Sequence, residues 1–211
     1  MKLCADQICN KHLVKMILET TQMAYSTQQG NGDEDYIRLF QKELSLAGLK
    51  MYKMTHVKHP LNLWARYKKE HYDWMVSYGL ELCRVYTNRY KKVHRCEAHL
   101  NKLREKGFVA CKMKVEIPEK GAKAYKNIPK VFEYFPMCFG DDLEQCLVRD
   151  KNGDILGVAS YREYYMLKLK KMKMVWPEED PDWFKRKFQL QPKAKKIKKK
   201  RKRVDVLELA K

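Results

Sequence analysis

The sequence predicts a mainly α-helical protein, with one compact domain over residues 1–190, at most a small β-hairpin, and a disordered basic tail over residues 191–211. Apolar residues recur at steps of three and four along most of the chain, which is the spacing of a buried helical face. Glycine and proline stand at the ends of these stretches, where helices begin and end. The apolar share of 45% in 211 residues is sufficient for one hydrophobic core.

Four helices are predicted in the first half of the chain, over about residues 6–25, 35–48, 60–90 and 93–106. Asp6 is placed to cap the first helix, and the polar stretch at 28–33 is placed to end it. Pro60 suits the first turn of the third helix because its φ angle is fixed and it has no N–H to leave unbonded. Gly48 and Gly107 suit the C-terminal ends of the second and fourth helices.

The second half of the chain gives weaker signals. Residues 109–117 alternate between apolar and charged side chains, which predicts a short extended segment. Its predicted partner is either 145–148 or 154–158, two stretches joined through Asn152-Gly153, a dipeptide that favours a hairpin turn. A last helix is predicted over 159–174.

The charge distribution predicts a polyanion as the partner. The chain has a net charge of +19, and twelve Lys and Arg residues without any acid lie between Lys185 and Arg203. Without those twelve, the remainder of the chain still carries +7. A basic body with a more basic arm is typical of proteins that bind nucleic acid, and we predict double-stranded DNA. The segment from Lys198 to Arg203 also fits a nuclear address, which leaves a protein-interaction module as a third class.

No metal or other cofactor is predicted. Seven cysteines without a Cys-x-x-Cys pair predict reduced thiols that mostly lie in the core. His94, Cys96 and His99 offer ligands within one short stretch, but surface histidines and a buried thiol are the far more common explanation of such a pattern. The sequence leaves the oligomeric state open.

The first helix carries three chemically different side chains on one face. His12, Lys15 and Glu19 are three and four residues apart, and this spacing aligns them along a helix. An imidazole, an amine and a carboxylate in one row can serve acid-base and amine-nucleophile chemistry. Lys15 with Glu19 is also an ordinary i, i+4 ion pair worth about 0.3 kcal/mol, which is the more common case.

The last predicted helix combines aromatic rings with cations. Tyr161 and Tyr165 lie one turn apart, and Arg162 stands between them in the sequence. Rings can stack on exposed bases while cations contact phosphates, which predicts a nucleic-acid surface. In the alternative, the tyrosines pack inward and the cations extend past them to solvent.

Two groups of residues follow an order that occurs in a known superfamily. In the first helix a basic residue is followed by Leu and, seven positions after the basic residue, by Glu, as in His12, Leu13 and Glu19. His-Pro shortly before Trp, then Tyr-Gly-Leu and Cys-Arg, occurs at His59, Pro60, Trp64, Tyr78, Gly79, Leu80, Cys83 and Arg84. In these residues the chain resembles the bacteriophage endonuclease V superfamily of pyrimidine-dimer DNA glycosylases. It looks closer still to an uncharacterised viral branch, through residues 11–20, 90–94, 161–165 and 181–184.

The resemblance implies a compact helical fold that kinks duplex DNA and cleaves the bond between base and sugar through an imine, followed by strand scission. It implies that Glu19 stabilises the developing positive charge and moves protons. It also implies contacts to phosphates or to a flipped base. The candidates for these contacts are Lys11, His12, His59, Arg66 and Arg84.

Two positions depart from the pattern of the studied enzymes, in which the nucleophile is the α-amine of a small second residue exposed by removal of the initiator Met. Here Lys2 is bulky, so we expect Met1 to be retained, and Leu18 replaces a basic residue before the Glu. The reacting amine is then that of Met1 or of Lys15, with Lys11 as a weaker alternative.

We therefore predict a DNA-repair enzyme, a glycosylase with associated abasic-site lyase activity on damaged or modified bases. The alternative is a non-catalytic viral nucleic-acid-binding or packaging protein that kept the fold and lost the chemistry. Because no apolar run approaches the roughly 18 residues that span a bilayer, we expect a soluble intracellular protein. It is expected in the host cytoplasm or, in a eukaryotic host, in the nucleus or a viral factory.

Overall fold

The computed structural model describes residues 5–112, 115–116, 135–169, 173–176 and 180–189. The chain divides into two units, Met1–Asp180 and Pro181–Lys211. Within the described ranges, no helix combines the length and the apolar character needed to cross a membrane. Both the residue Met1 and the predicted basic tail over 191–211 lie outside the described residues.

Eight α-helices account for most of the described chain and confirm the prediction of a mainly helical fold. They are α1 (Asn10–Asn31), α2 (Glu34–Leu46), α3 (Pro60–Tyr67), α4 (Lys69–Tyr90), α5 (Cys96–Lys106), α6 (Leu143–Cys146), α7 (Gly157–Lys168) and α8 (Asp182–Gln189). The predicted start at Pro60 and the predicted stop before Gly107 are confirmed. In the described ranges, β-structure is limited to one antiparallel bridge between Arg149 and Ile155.

The first helix differs from its predicted bounds at both ends. It begins at Asn10, and the carboxylate of Asp6 does not cap it but pairs with Arg84 at 2.6 Å. It also continues into the polar stretch 28–33 that predicts a loop, and it ends at Asn31. The loop prediction is wrong for residues 28–31, where Gln28 and Asn31 are buried and, like Gln29, donate hydrogen bonds to other segments. Tertiary contacts therefore outweigh the local preference for a turn.

The predicted helix over 60–90 is two helices, α3 and α4. Lys68 has an extended backbone, with φ −153° and ψ 160°, and separates them. Across the break, His71 Nδ1 lies 2.8 Å from the carbonyl oxygen of Trp64, and the two rings stack with 3.9 Å between centroids. Both helices face the same core, so the apolar spacing continues through the break and does not reveal it.

The predicted strands are wrong where the structure describes them. Residues 109–112 and 115–116 have no strand partner. The stretch 145–148 begins inside α6, and 154–158 runs into the start of α7 at Gly157. The apolar side chains of this region form a small cluster of Met137, Phe139, Leu143 and Cys146, in which only the last two belong to a helix, α6.

The predicted turn at Asn152-Gly153 is confirmed. Gly153 has φ +86°, which favours glycine. The carboxylate of Asp150 accepts hydrogen bonds from the N–H groups of Asn152 and Asp154 at 2.8 and 2.9 Å. These local hydrogen bonds stabilise the turn. The turn leads directly into α7, which ends at Lys168 and not at 174 as predicted.

α1 and α4 run antiparallel at the centre of the core. Their register is defined by three neighbouring pairs, Asn10 with Arg89, Thr20 with Gly79, and Gln28 with Tyr72. A Cβ atom at Gly79 would lie 2.9 Å from Leu100 Cδ2 on α5 and 3.1 Å from Thr20 Cγ2. Glycine at this position therefore allows three helices to approach closely.

Phe135 links α7 to the core. Its ring makes edge contacts with Trp64 and Trp74, at centroid distances of 5.2 and 5.1 Å, and with Tyr161 of α7 at 5.9 Å. One turn further along α7, Tyr165 reaches His12 of α1. This packing brings α7 beside the N-terminal half of α1.

Candidate functional site

The N-terminal half of α1 presents four of the predicted site residues toward solvent or toward α7. We call this set the α1 strip: Lys11, His12, Lys15 and Glu19. The rotation of the helix is set by Leu13 and Ile17, which are fully buried in the core. As a result Lys11 and Lys15 are exposed, while His12 and Glu19 are half-buried.

Lys15 and Glu19 form an ion pair that remains accessible to a ligand. The Nζ atom of Lys15 lies 3.3 Å from Oε1 of Glu19, with 63% and 29% of the two side chains exposed. An exposed i, i+4 pair contributes only about 0.3–0.5 kcal/mol to stability. The fold therefore does not depend on this pair, and both groups can engage a ligand.

His12 faces α7, where it meets Tyr165. Its Nδ1 atom lies 2.8 Å from the Tyr165 hydroxyl, and the two rings meet edge to face with 5.1 Å between centroids. Burial, followed by the positive charges of Lys168 and Lys15, lowers the pKa of His12 to about 4. At neutral pH the imidazole is uncharged, so it can exchange hydrogen bonds but does not neutralise a phosphate.

Lys168, one of the cations in the sequence of α7, also belongs to this surface. Its Nζ atom lies 4.5 Å from the centroid of the Tyr164 ring, a cation–π contact, and its charge is one of the causes that lower the pKa of His12. Lys168 follows Tyr165 by three residues, and this spacing places the two side chains on one face of α7. The surface thus has cations on two helices.

His59, the N-cap residue of α3, is within electrostatic reach of Glu19. Its Nδ1 atom accepts the N–H of Leu61 at 3.2 Å and so caps the start of α3. The pKa of His59 is lowered mainly by burial and further by the charge of His56. The carboxylate of Glu19 acts in the opposite direction and raises this pKa. The carboxylate of Glu19 also opposes the lowering of the His12 pKa. The carboxylate is therefore within electrostatic reach of two neutral imidazoles.

The rings of the predicted stacking surface pack inward. Tyr161 donates its hydroxyl to the carbonyl oxygen of Pro136 at 3.3 Å, its ring meets Phe139 edge to face, and burial raises its pKa. Arg162 donates from Nη2 to Oε1 of Gln7 at 3.0 Å. Together with the Tyr165 contact to His12, this geometry matches the inward-packing alternative.

Arg66 lies at the other end of α1. It donates from Nη2 to the carbonyl oxygen of Gly30 at 2.6 Å and from Nε to Oδ1 of Asn31 at 2.9 Å, and so caps the C-terminal end of the helix. Gly30 follows Glu19 by eleven residues, or about 17 Å along the helix axis. Arg66 is therefore not part of the α1 strip.

Arg84 is also used within the protein. Its guanidinium donates to Oε1 of Glu81 at 2.7 Å and to Oδ1 of Asp6 at 2.6 Å, which ties the segment before α1 to α4. Of the predicted DNA contacts, Lys11 and His12 thus lie on the same helix as Glu19, and His59 is within electrostatic reach of it, whereas Arg66 and Arg84 bind other parts of the protein.

The described ranges contain no group of three or more His, Cys, Asp or Glu side chains that could hold a metal ion. The residues considered for zinc are used locally: His94 accepts the N–H of Cys96 at 3.2 Å, and His99 shares a hydrogen bond with Tyr25 at 2.9 Å. Among the candidate amines, Lys11 and Lys15 belong to the strip, whereas Met1 lies outside the described residues.

Comparison with protein-family models, with curated proteins and with solved structures finds no match to this chain. The resemblance to the endonuclease V superfamily therefore stays a prediction. The chemistry that the site offers is an amine and a carboxylate in contact, beside two neutral imidazoles and the cations of Lys11 and Lys168.

Proposed function

We propose that this protein is a DNA glycosylase with abasic-site lyase activity that acts on damaged or modified bases in duplex DNA. The observation that carries the proposal is the accessible Lys15–Glu19 pair, in which the amine lies 3.3 Å from the carboxylate on a surface with further cations. The order of residues shared with the glycosylase superfamily supports the same chemistry. The net charge of +19 supports a polyanionic substrate.

In this proposal Lys15 is the nucleophile and reacts in its neutral form. The lone pair of Nζ attacks C1′ of the deoxyribose, and the base departs with the electrons of the glycosidic bond and takes a proton from water. Glu19 accepts the proton that the nitrogen releases and returns it to O4′ as the C1′–O4′ bond breaks, which opens the sugar ring and gives the protonated imine. Glu19 then removes a proton from C2′, the 3′ phosphate leaves with the electrons of its C–O bond, and water hydrolyses the imine to release Lys15.

The neutral imidazoles have a different task. His12 and His59, both within electrostatic reach of the carboxylate, serve as hydrogen-bonding groups, while Lys11 and Lys168 contact phosphates. Such contacts make binding strongly dependent on salt, because each phosphate that is neutralised releases counterions.

Borohydride trapping tests the proposal. Reduction of the imine leaves a stable covalent band between the protein and a labelled duplex that carries an abasic site. We expect a band with the native chain, no band with Lys15→Arg, which keeps the charge but is a poor amine nucleophile, and an unchanged band with the matched variant Lys11→Arg. Glu19→Gln should retain DNA affinity and lose at least about 100-fold in turnover.

Three outcomes would change this assignment. A band that persists in Lys15→Arg and maps to the Met1 peptide would move the nucleophile to the α-amine and keep the activity. Turnover of Glu19→Gln equal to that of the native chain would remove Glu19 from the mechanism. No band on abasic, ultraviolet-irradiated or undamaged duplexes, together with salt-sensitive binding, would leave a non-catalytic nucleic-acid-binding protein.

That second candidate is favoured by one observation. Several of the predicted DNA contacts, Arg66, Arg84, Tyr161 and Arg162, are engaged inside the protein. A protein that only binds or packages DNA needs the cationic surface and not the reactive pair. In that case neither the native chain nor any variant would give a borohydride band or strand scission, while duplex binding would still fall with rising salt.

A further inference from the structure

The loop between α4 and α5 is a basic surface that the proposed chemistry does not use. It contains five residues, 91–95, of which Lys91, Lys92 and Arg95 are exposed cations. Within the part of the chain that the structure describes, these three form no ion pair. Three exposed cations on one short loop, none of them ion-paired with another described residue, suggest an external anion.

The loop has a defined shape. Lys91 has a left-handed backbone, with φ 54° and ψ 33°, and donates its N–H to the carbonyl oxygen of Thr87 at 2.8 Å. At the other end, the carbonyl oxygen of His94 accepts the N–H of Glu97 at 2.9 Å, and the His94 ring packs edge-on against Tyr86. Because the backbone is held at both ends, binding a partner need not order it first.

Val93 stands between the cations, and 70% of its surface is exposed. An isolated exposed apolar residue is ordinary by itself. Here it follows Lys91 and Lys92 directly and precedes Arg95 by two positions, so an apolar side chain and phosphate-binding cations share one loop. Proteins that bind duplex DNA in a groove use this combination, with cations on the backbone and an apolar residue against the sugars or base steps.

The loop lies at the end of the α1–α4 pair where the α1 strip begins. Arg89, in the last turn of α4, donates to the carbonyl oxygen of Ile8 at 2.6 Å and to Oδ1 of Asn10 at 3.3 Å. Lys11 follows Asn10 directly, so α4 leads into the loop next to the first residue of the strip.

We propose that the α4–α5 loop is a second contact surface for duplex DNA, in which Lys91, Lys92 and Arg95 bind phosphates and Val93 packs against the sugars of a groove. The proposal rests on the proposed function only for the identity of the polyanion. It does not depend on the imine chemistry, because the loop supplies affinity and orientation and no reacting group.

Salt titration of duplex binding tests the proposal on the full-length chain, with fluorescence anisotropy of a labelled undamaged duplex as the readout. The loop variant is Lys91→Gln with Lys92→Gln. The matched control is Lys42→Gln with Lys50→Gln, two exposed lysines of the α2 region, which packs against the opposite end of α1. The slope of log K against log salt should flatten by about 0.9 for each lost phosphate contact in the loop variant and stay unchanged in the control. Val93→Ser should weaken binding without changing the slope.

The possible failures are distinguishable. Equal slopes for the loop variant and the control would overturn the loop proposal and leave duplex binding by the native chain intact. No duplex binding by the native chain, or stronger binding to single-stranded RNA, would overturn both this inference and the proposed substrate. Flattened slopes with no borohydride band in any variant would support the loop and overturn only the glycosylase chemistry.

Discussion

The two halves of α1 are both rich in polar residues, but these residues have different partners. In the N-terminal half, Lys11 and Lys15 are exposed and Glu19 is half-buried. In the C-terminal half, Gln28 is buried between helices, where it donates to the Tyr72 hydroxyl and to a backbone carbonyl and accepts the Tyr36 hydroxyl. One half holds the fold together, and the other is available to a ligand.

This comparison shows that polar residue types do not by themselves mark a functional site. The buried half uses its polar groups to satisfy neighbouring segments, and removal of one of them would leave its partners unpaired in the core. The charged side chains of the N-terminal half contribute little to stability, because solvent screens their charges. Substitutions in the two halves should therefore separate stability from function.

Gln28→Leu should have the largest effect. It leaves two tyrosine hydroxyls and the carbonyl oxygen of Gly107 without their amide partner, and we expect a loss of about 2–4 kcal/mol in the free energy of unfolding. Urea denaturation measures the loss. A change below about 0.5 kcal/mol would show that the buried half of α1 does not hold the fold as described.

Gly79→Ala tests the boundary between the halves, where α4 meets Thr20. The new Cβ atom would lie 2.9 Å from Leu100 Cδ2, so the core must shift, at a cost of about 1–3 kcal/mol. Ser45→Ala, at an exposed position in α2, serves as the control and should change stability by less than about 0.5 kcal/mol. Equal melting temperatures for the two variants would contradict the close approach of the three helices.

The next largest effect on stability is expected from the titration of His12. Its pKa of about 4 in the fold lies below the ordinary value of 6.5, so between these values the unfolded chain binds more protons than the folded chain. Stability should therefore fall as the pH drops from about 6.5 to about 4, by on the order of 1 kcal/mol for a half-buried, screened group, and His12→Gln should remove this contribution.

NMR titration of the imidazole isolates His12 from the other histidines. Lys168→Gln should raise the pKa of His12, because the charge of Lys168 is the second cause of its lowering, after burial. Lys151→Gln, an exposed lysine in the turn before α7, should leave it unchanged. A His12 pKa near 6.5 in the native chain would contradict the burial of this imidazole and its proximity to Lys168.

The smallest effects on stability are expected in the exposed half. Lys15→Gln and Glu19→Gln should each change the free energy of unfolding by less than about 0.5 kcal/mol, since only an accessible i, i+4 pair is lost. Thermal denaturation beside the trapping assay makes the comparison. A loss above about 2 kcal/mol would mean that the strip is structural and that lost activity reflects unfolding.

The sequence by itself determined the features that depend on neighbouring residues. Helical spacing predicts the mainly helical class, Pro60 and Gly107 predict a helix start and a helix stop, and Asn152-Gly153 predicts a turn. Spacing also aligns Lys15 with Glu19 on one helix face, and the structure shows them as an ion pair. These features follow from backbone preferences and from side chains within one or two turns of each other.

Only the tertiary structure decided the length of α1, the break at Lys68 and the partners of the site residues. Tyr165 meets His12 across 153 positions of sequence, and Arg66 caps the far end of α1 instead of joining the strip. No local pattern encodes these contacts, because they depend on how helices pack around Gly79 and Phe135. Burial then determines whether a polar side chain stabilises the fold or remains available for chemistry.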